Sequence, residues 1–223
     1  MVAGQKAGEE VSDTSDTYVS IPCGDILLEG TLTKTDDGSH AGVVICHPHP
    51  LRGGDMYNNV VEAVYNELAA RQIIALRFNF RGVGSSGGSA HDSSGHIDDI
   101  GAAIDYLLTL KEIDTQHIGL VGYSYGAAMV LRYAPGDERL NAIAVVSPAM
   151  TPAGSDPILK YNRPKYFISG ERDGIVTLKK FNYLVDSVAG PKQYRVAAGA
   201  DHFWVGYEGA MADDVATFLQ KNI

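Results

Sequence analysis

His117-Ile118-Gly119-Leu120-Val121-Gly122-Tyr123-Ser124-Tyr125-Gly126-Ala127-Ala128-Met129-Val130-Leu131-Arg132-Tyr133 is the stretch on which the fold turns. Its first five residues read as a short buried strand, and its last seven as the start of a helix. Between them stands G-x-S-x-G, the pattern of a nucleophile elbow when a strand leads in and a helix leads out. The turn is tight and the serine backbone strained. Glycines on either side let the strand and helix backbones approach closely. Ser124 is then placed at a helix N-terminus, where free N–H groups and the helix dipole favour developing negative charge.

Outward from this stretch the chain alternates strands with helices. Tyr18–Pro22 and Ile26–Leu32 read as an antiparallel hairpin turning at Gly24-Asp25, with one solvated face. Ala41–Cys46 is a continuous apolar run, expected as a central strand buried on both faces. Helical spacing follows in Val60, Val61, Val64, Tyr65 and Leu68, then a strand over Ile73–Phe80, then a helical face from Ile97 to Leu108. Beyond the elbow helix, which Pro135-Gly136 must end, Ala142–Val146, Lys165–Ser169 and Gln193–Ala197 read as strands. Helical stripes run over Phe181–Val188 and Met211–Leu219. The pattern predicts one α/β domain over residues 18–223, with about eight strands in a mostly parallel sheet covered by helices on both faces. Residues 1–17 are polar and are expected to form a loose tail.

At 223 residues and 45% hydrophobic content, one sizeable core is expected. A net charge of −9 argues against nucleic acid or an anionic membrane as partner. No apolar run approaches the roughly 18 residues of a membrane helix. The first residues lack the apolar core of a secretory signal, and the two cysteines, Cys23 and Cys46, lie in strands, so a cytoplasmic location is the expectation.

A serine hydroxyl needs a general base, and that base needs an orienting acid. In a doubly wound sheet such groups sit just beyond the carboxyl ends of strands. Of seven histidines, His202 alone follows the elbow, and it comes after the last strand. Between the two, the loop Gly170-Glu171-Arg172-Asp173-Gly174 supplies an acid in the order that an elbow requires. Asp173, at the loop tip, is the choice. Glu171 is its rival, and Asp156 is a weaker one. Asp201 adjoins His202 and should diverge from it. Two N–H donors should meet an oxyanion. Tyr125 is one candidate. The other should come from His47-Pro48-His49-Pro50-Leu51-Arg52-Gly53-Gly54, where the prolines have no N–H, leaving His49 or, less favoured, Leu51.

Other patterns carry less. Gly84-Ser85-Ser86-Gly87-Gly88 also matches G-x-S-x-G but lacks a following helical period, and reads as a flexible loop. His47, His49 and Asp55 offer no convincing third ligand spacing, so no metal is expected. Cys46 lies within an apolar strand, where a thiolate would be disfavoured. No phosphate-cradling loop or dinucleotide fingerprint is present, so no cofactor is expected.

Taken together, the elbow, the Arg81-Gly82-Val83-Gly84-Ser85-Ser86 loop, Gly170-Glu171-Arg172-Asp173 and Gly199-Ala200-Asp201-His202-Phe203 resemble the landmarks of the α/β-hydrolase superfamily, in its order, from about Tyr18 to Ile223. His47–Gly54 followed by Asn58-Asn59 is similar to small, cap-less hydrolases near the dienelactone-hydrolase branch. The resemblance implies a Ser124–Asp173–His202 triad and esterase activity. Dienelactone hydrolases proper use a cysteine nucleophile, and Ser124 here favours a general serine esterase. Only about a dozen residues, Met150 to Arg163, lie where superfamily lids are inserted, so no large cap is expected and the pocket should be shallow and open. Tyr123, Tyr125, Leu51, Met150, Ile175, Phe203 and Trp204 are near enough to the triad in sequence to line it. Short- to medium-chain or aromatic esters would suit such a site. A thioesterase, a small peptidase or amidase, and a non-catalytic binding protein of the same fold are the competing readings.

Overall fold

The structure is a computed structural model that describes residues 16–33, 38–150 and 157–223. Eight strands form one sheet: β1 (Thr17–Cys23), β2 (Ile26–Leu32), β3 (His40–Cys46), β4 (Ile74–Phe78), β5 (Ile113–Tyr123), β6 (Ala142–Val146), β7 (Lys165–Gly170) and β8 (Lys192–Ala197). Their spatial order is β1-β2-β4-β3-β5-β6-β7-β8. The β1/β2 and β2/β4 pairs are antiparallel, and every other pair is parallel. Five α-helices connect them: α1 (Asn59–Ala70), α2 (Gly95–Leu107), α3 (Tyr125–Tyr133), α4 (Leu178–Ser187) and α5 (Glu208–Asn222).

Alternation along the central strands explains the layers. Val44 and Cys46 of β3 face one core with α2, α3 and α4; Val43 and Ile45 face the other with α1 and α5. With both faces covered, the central strands carry apolar residues at successive positions, which is why they appeared as unbroken runs. The chain leaves β3 toward β4 and returns to place β5 on β3's other side. That reversal opens a crevice beyond the carboxyl ends of β3 and β5, the general ligand position in such sheets.

Two expectations need correction. The elbow strand starts earlier than His117, at Ile113. Ile113 pairs with His40, then the register slips before Gly42 meets Ile118. The intervening Asp114-Thr115-Gln116-His117 is polar and mostly exposed, with His117 Nδ1 2.8 Å from Asp114 Oδ2, so it carried no apolar strand signal. Gly84–Gly88 is also not a loose loop. Ser86 Oγ donates to Asn79 O at 2.7 Å and accepts from Glu29 N–H at 2.9 Å, and Gly87 N–H donates to Leu27 O at 2.9 Å, pinning the segment to the hairpin. Of the expected tail, residues 1–15 lie outside the described residues; Thr17 already belongs to β1, and Asp16 pairs with the buried Arg77 at 3.0 Å. Val146 and Lys165 are too close in sequence for a large cap domain. Residues 151–156, including Asp156, lie outside the described residues. No helix among the described residues is long and apolar enough to cross a membrane.

Candidate active site

Ser124 has φ 54° and ψ −109°, a conformation a β-carbon resists. The surroundings hold it there. Its N–H donates to Val146 O at 2.9 Å, and its carbonyl accepts from Ala128 N–H and Ala149 N–H, both at 3.2 Å. The glycines are sterically required. A β-carbon on Gly122 would lie 2.6 Å from Ala127 N; one on Gly126 would lie 2.6 Å from His47 O and closer still to Cys46 O. The elbow is thus wedged between α3 and the end of β3.

The other two groups reach Ser124 from the ends of β7 and β8. Ser124 Oγ is 3.0 Å from His202 Nε2, and His202 Nδ1 is 2.8 Å from Asp173 Oδ2. Asp173 Oδ1 accepts Ile175 N–H at 2.9 Å and Val176 N–H at 2.7 Å. Burial alone would raise the Asp173 pKa. The hydrogen bonds from His202 and from Val176 N–H outweigh it and hold the carboxyl below its usual range. An ionised carboxylate only accepts, so the proton sits on Nδ1 and the Nε2 lone pair faces the serine hydroxyl. All three side chains are buried. Tyr123 Oη–H donates to His202 O at 2.7 Å and steadies the loop. The rival acids are engaged elsewhere: Glu171 accepts Gly199 N–H at 3.0 Å, and Asp201 Oδ1 accepts Phe203 N–H at 2.9 Å and Trp204 N–H at 3.1 Å.

Above Ser124 lies an open cleft of about 460 Å³. Of the residues expected to line it, Tyr123, Tyr125, Ile175 and Phe203 do so, and His49, expected as an oxyanion donor, lines it as well. Three do not. Trp204 is completely buried, because its φ of 62° turns the indole inward, where Nε1–H donates to Ser147 Oγ at 3.1 Å. Met150 packs against the core on the α2–α3–α4 side. Leu51 is 51% exposed on a 3-10 turn, Pro50–Arg52, outside the cleft lining. Its N–H is also engaged, donating to His49 Nδ1 at 3.3 Å, whereas no protein acceptor pairs with the His49 or Tyr125 N–H among the described residues.

Behind the cleft, His47 is fully buried. Pro48 O can only accept and Phe80 N–H can only donate, so His47 Nδ1 carries the proton toward Pro48 O (2.6 Å) and Nε2 receives Phe80 N–H (3.0 Å). Burial drives its pKa down to about 3. His96, also buried, holds Tyr125 Oη at 2.7 Å through Nδ1, and Tyr125 stands 4.7 Å from the His49 ring. Sequence reading missed Ser147. It is fully buried, has φ 44°, and follows the last residue of β6. The rule that functional groups follow parallel strands pointed at this position; the polar singleton after an apolar run was the available signal.

Comparisons with known proteins identify the family and the fold. A family model described as "Alpha/beta hydrolase family" matches residues 43–220. The chain is 30% identical over 190 residues to protein RP471 of Rickettsia prowazekii, covering 79% of this chain and 77% of that one. Among solved structures, an alpha-beta serine hydrolase homologue from Coxiella burnetii superposes with a TM-score of 0.80 at 27% identity, over 91% of this chain and 96% of its own. The Pyrococcus furiosus esterase Pf2001 shares the fold, with a TM-score of 0.80 at 19% identity over 99% and 98% of the two chains. From the elbow to the two loops that converge on it, and by the span of these matches, the chain belongs to the alpha/beta hydrolase family.

Proposed function

We propose that this protein is a serine esterase that hydrolyses short- to medium-chain or aromatic carboxylic esters. The observation that carries the reading is the continuous contact Ser124 Oγ–His202 Nε2 (3.0 Å) and His202 Nδ1–Asp173 Oδ2 (2.8 Å) beneath an open cleft. Ser124 Oγ attacks the ester carbonyl carbon as His202 Nε2 takes its proton. Asp173 holds the ring in the required tautomer and stabilises the imidazolium. The oxyanion is met by Tyr125 N–H and His49 N–H, the latter favoured over Leu51 because Leu51 N–H already has an acceptor. His202 then gives the proton to the departing alcohol. Water, deprotonated by the same nitrogen, attacks the acyl-enzyme and releases the acid and Ser124. The cleft lacks a large cap, which suits small, soluble esters, and the shared fold with a known esterase supports the class.

The test is hydrolysis of 4-nitrophenyl acetate and butyrate by wild type and Ser124→Ala. The expected result is saturable turnover with a pre-steady-state burst in the wild type and loss of both in the variant. Equal rates for the two proteins, or no turnover by the wild type, would refute the proposal. The second result would leave a binding protein on a hydrolase fold.

A further inference from the structure

The two walls of the cleft differ in chemistry. One is built by the loop after β3 and the start of α1, and contributes His49, Arg52 and Asn58; the other contributes Tyr123, Ala149, Ile175 and Phe203. On the first wall each polar side chain is left with a donor. Leu51 N–H occupies His49 Nδ1, so the neutral ring carries its proton on Nε2. Burial, and then the nearby Arg52 charge, lower the His49 pKa and keep the ring neutral. Asn58 Oδ1 caps α1 by accepting Val60 N–H at 3.1 Å, which leaves its amide NH₂ as the free end. Arg52 has no ion-pair partner among the described residues, as is also true of Arg132, Arg163 and Arg172, but of these four it alone lines the cleft. Among the described residues, no aspartate or glutamate lines the cleft. In a chain with 27 acidic and 18 basic residues, an unpaired guanidinium beside a carboxylate-free cleft is a local reversal of sign.

Resting on the serine-esterase reading, the geometry points to an ester that carries a carboxylate. The carboxylate lies against Arg52, Asn58 and His49, and a hydrocarbon or aryl portion lies against Ile175 and Phe203. Half-esters of dicarboxylic acids and acyl esters of phenolic or hydroxy acids are the two forms of this class. Arg52 is the principal specificity residue, because a planar guanidinium pairs with a carboxylate through two N–H groups. The cleft is open and Arg52 exposed, so solvent screens the pair and the expected discrimination is about tenfold rather than thousands.

Two matched pairs test this. Mono(4-nitrophenyl) glutarate against 4-nitrophenyl pentanoate places the carboxylate on the acyl side. 3-Acetoxybenzoate against methyl 3-acetoxybenzoate places it on the alcohol side. The wild type is expected to show the higher kcat/KM for the carboxylate member of at least one pair. In that pair, Arg52→Gln lowers the carboxylate-to-neutral ratio of kcat/KM about tenfold, mainly through KM. Asn58→Asp, which keeps the cap acceptor but replaces the amide donor with a negative charge, lowers the same ratio. Preference for the neutral member in both pairs, or a fall of less than threefold in the ratio for Arg52→Gln, overturns the assignment. If wild type hydrolyses none of the four esters, the failure belongs to the esterase reading; if it hydrolyses the neutral esters, that reading stands and the substrate class alone is wrong.

Discussion

Replacing Ser147 by alanine should destabilise the protein by an amount readable from two buried side chains. Ser147 Oγ is the acceptor for Trp204 Nε1–H at 3.1 Å, and both residues are fully buried. Removing Oγ leaves an indole N–H without a partner where no water reaches it, at a cost of about 1–3 kcal/mol. Against a total of about 5–15 kcal/mol, that is a large fraction. Trp204→Phe removes the donor instead and shrinks a packed ring, costing about 1–3 kcal/mol from the space left behind. In the double variant no N–H is orphaned, so it should be more stable than the sum of the singles by about 1–2 kcal/mol. Urea unfolding followed by far-ultraviolet circular dichroism reads all four proteins; Trp204 is the only tryptophan, so fluorescence would lose its signal. Additivity of the single variants to within about 0.5 kcal/mol would refute the reasoning, because the two side chains would then not be energetically joined.

Three further outcomes are expected. Asp173→Asn should lower kcat by about 10⁴ through the wrong imidazole tautomer, with KM for 4-nitrophenyl butyrate changed far less; an unchanged kcat would remove Asp173 from the mechanism. Gly126→Ala should abolish activity or soluble expression, since its β-carbon would collide with the carbonyls of Cys46 and His47; a fully active variant would contradict the elbow geometry. His47 has a folded pKa near 3, below the ordinary value near 6.5, so the unfolded chain binds the proton first as pH falls. Its contribution is complete above pH 6.5 and is lost progressively toward pH 3, amounting to about 2 kcal/mol between pH 7 and 5. Urea unfolding at the two pH values should show a smaller difference in His47→Gln than in wild type, and equal differences would exclude His47 as the source.

Much of the architecture could be read before the coordinates were known, for physical reasons. Parallel strands covered on both faces leave unbroken runs such as Val43–Cys46, and amphipathic helices leave their stripes. Ser124, Asp173 and His202 were legible because each follows a strand, and the chain order of strands fixes which loops converge. Side-chain direction was not legible. Trp204 lies two residues from His202 yet points into the core, because a left-handed turn at its own backbone reverses it. Leu51 and His49 are two residues apart; only the hydrogen bond from one to the ring of the other separates a spent donor from a free one. Ser147 differs again: its position after a parallel strand could be noticed, but its role depends on a partner 57 residues away.

The separation of the two walls has an engineering consequence. The reacting groups hang from β5, β7 and β8, while His49, Arg52 and Asn58 hang from the far side of the crevice, after β3. Substrate preference can therefore be varied at the side chains of Arg52 and Asn58 while Ser124, Asp173 and His202, which hang from other strands, stay in place, provided that the His49 backbone on the same segment is left unaltered. A saturation library at positions 52 and 58, screened with esters of graded polarity, would sample new selectivities while every member keeps the same reaction centre. The proline-stiffened loop supplies the rigid mount that such grafting needs.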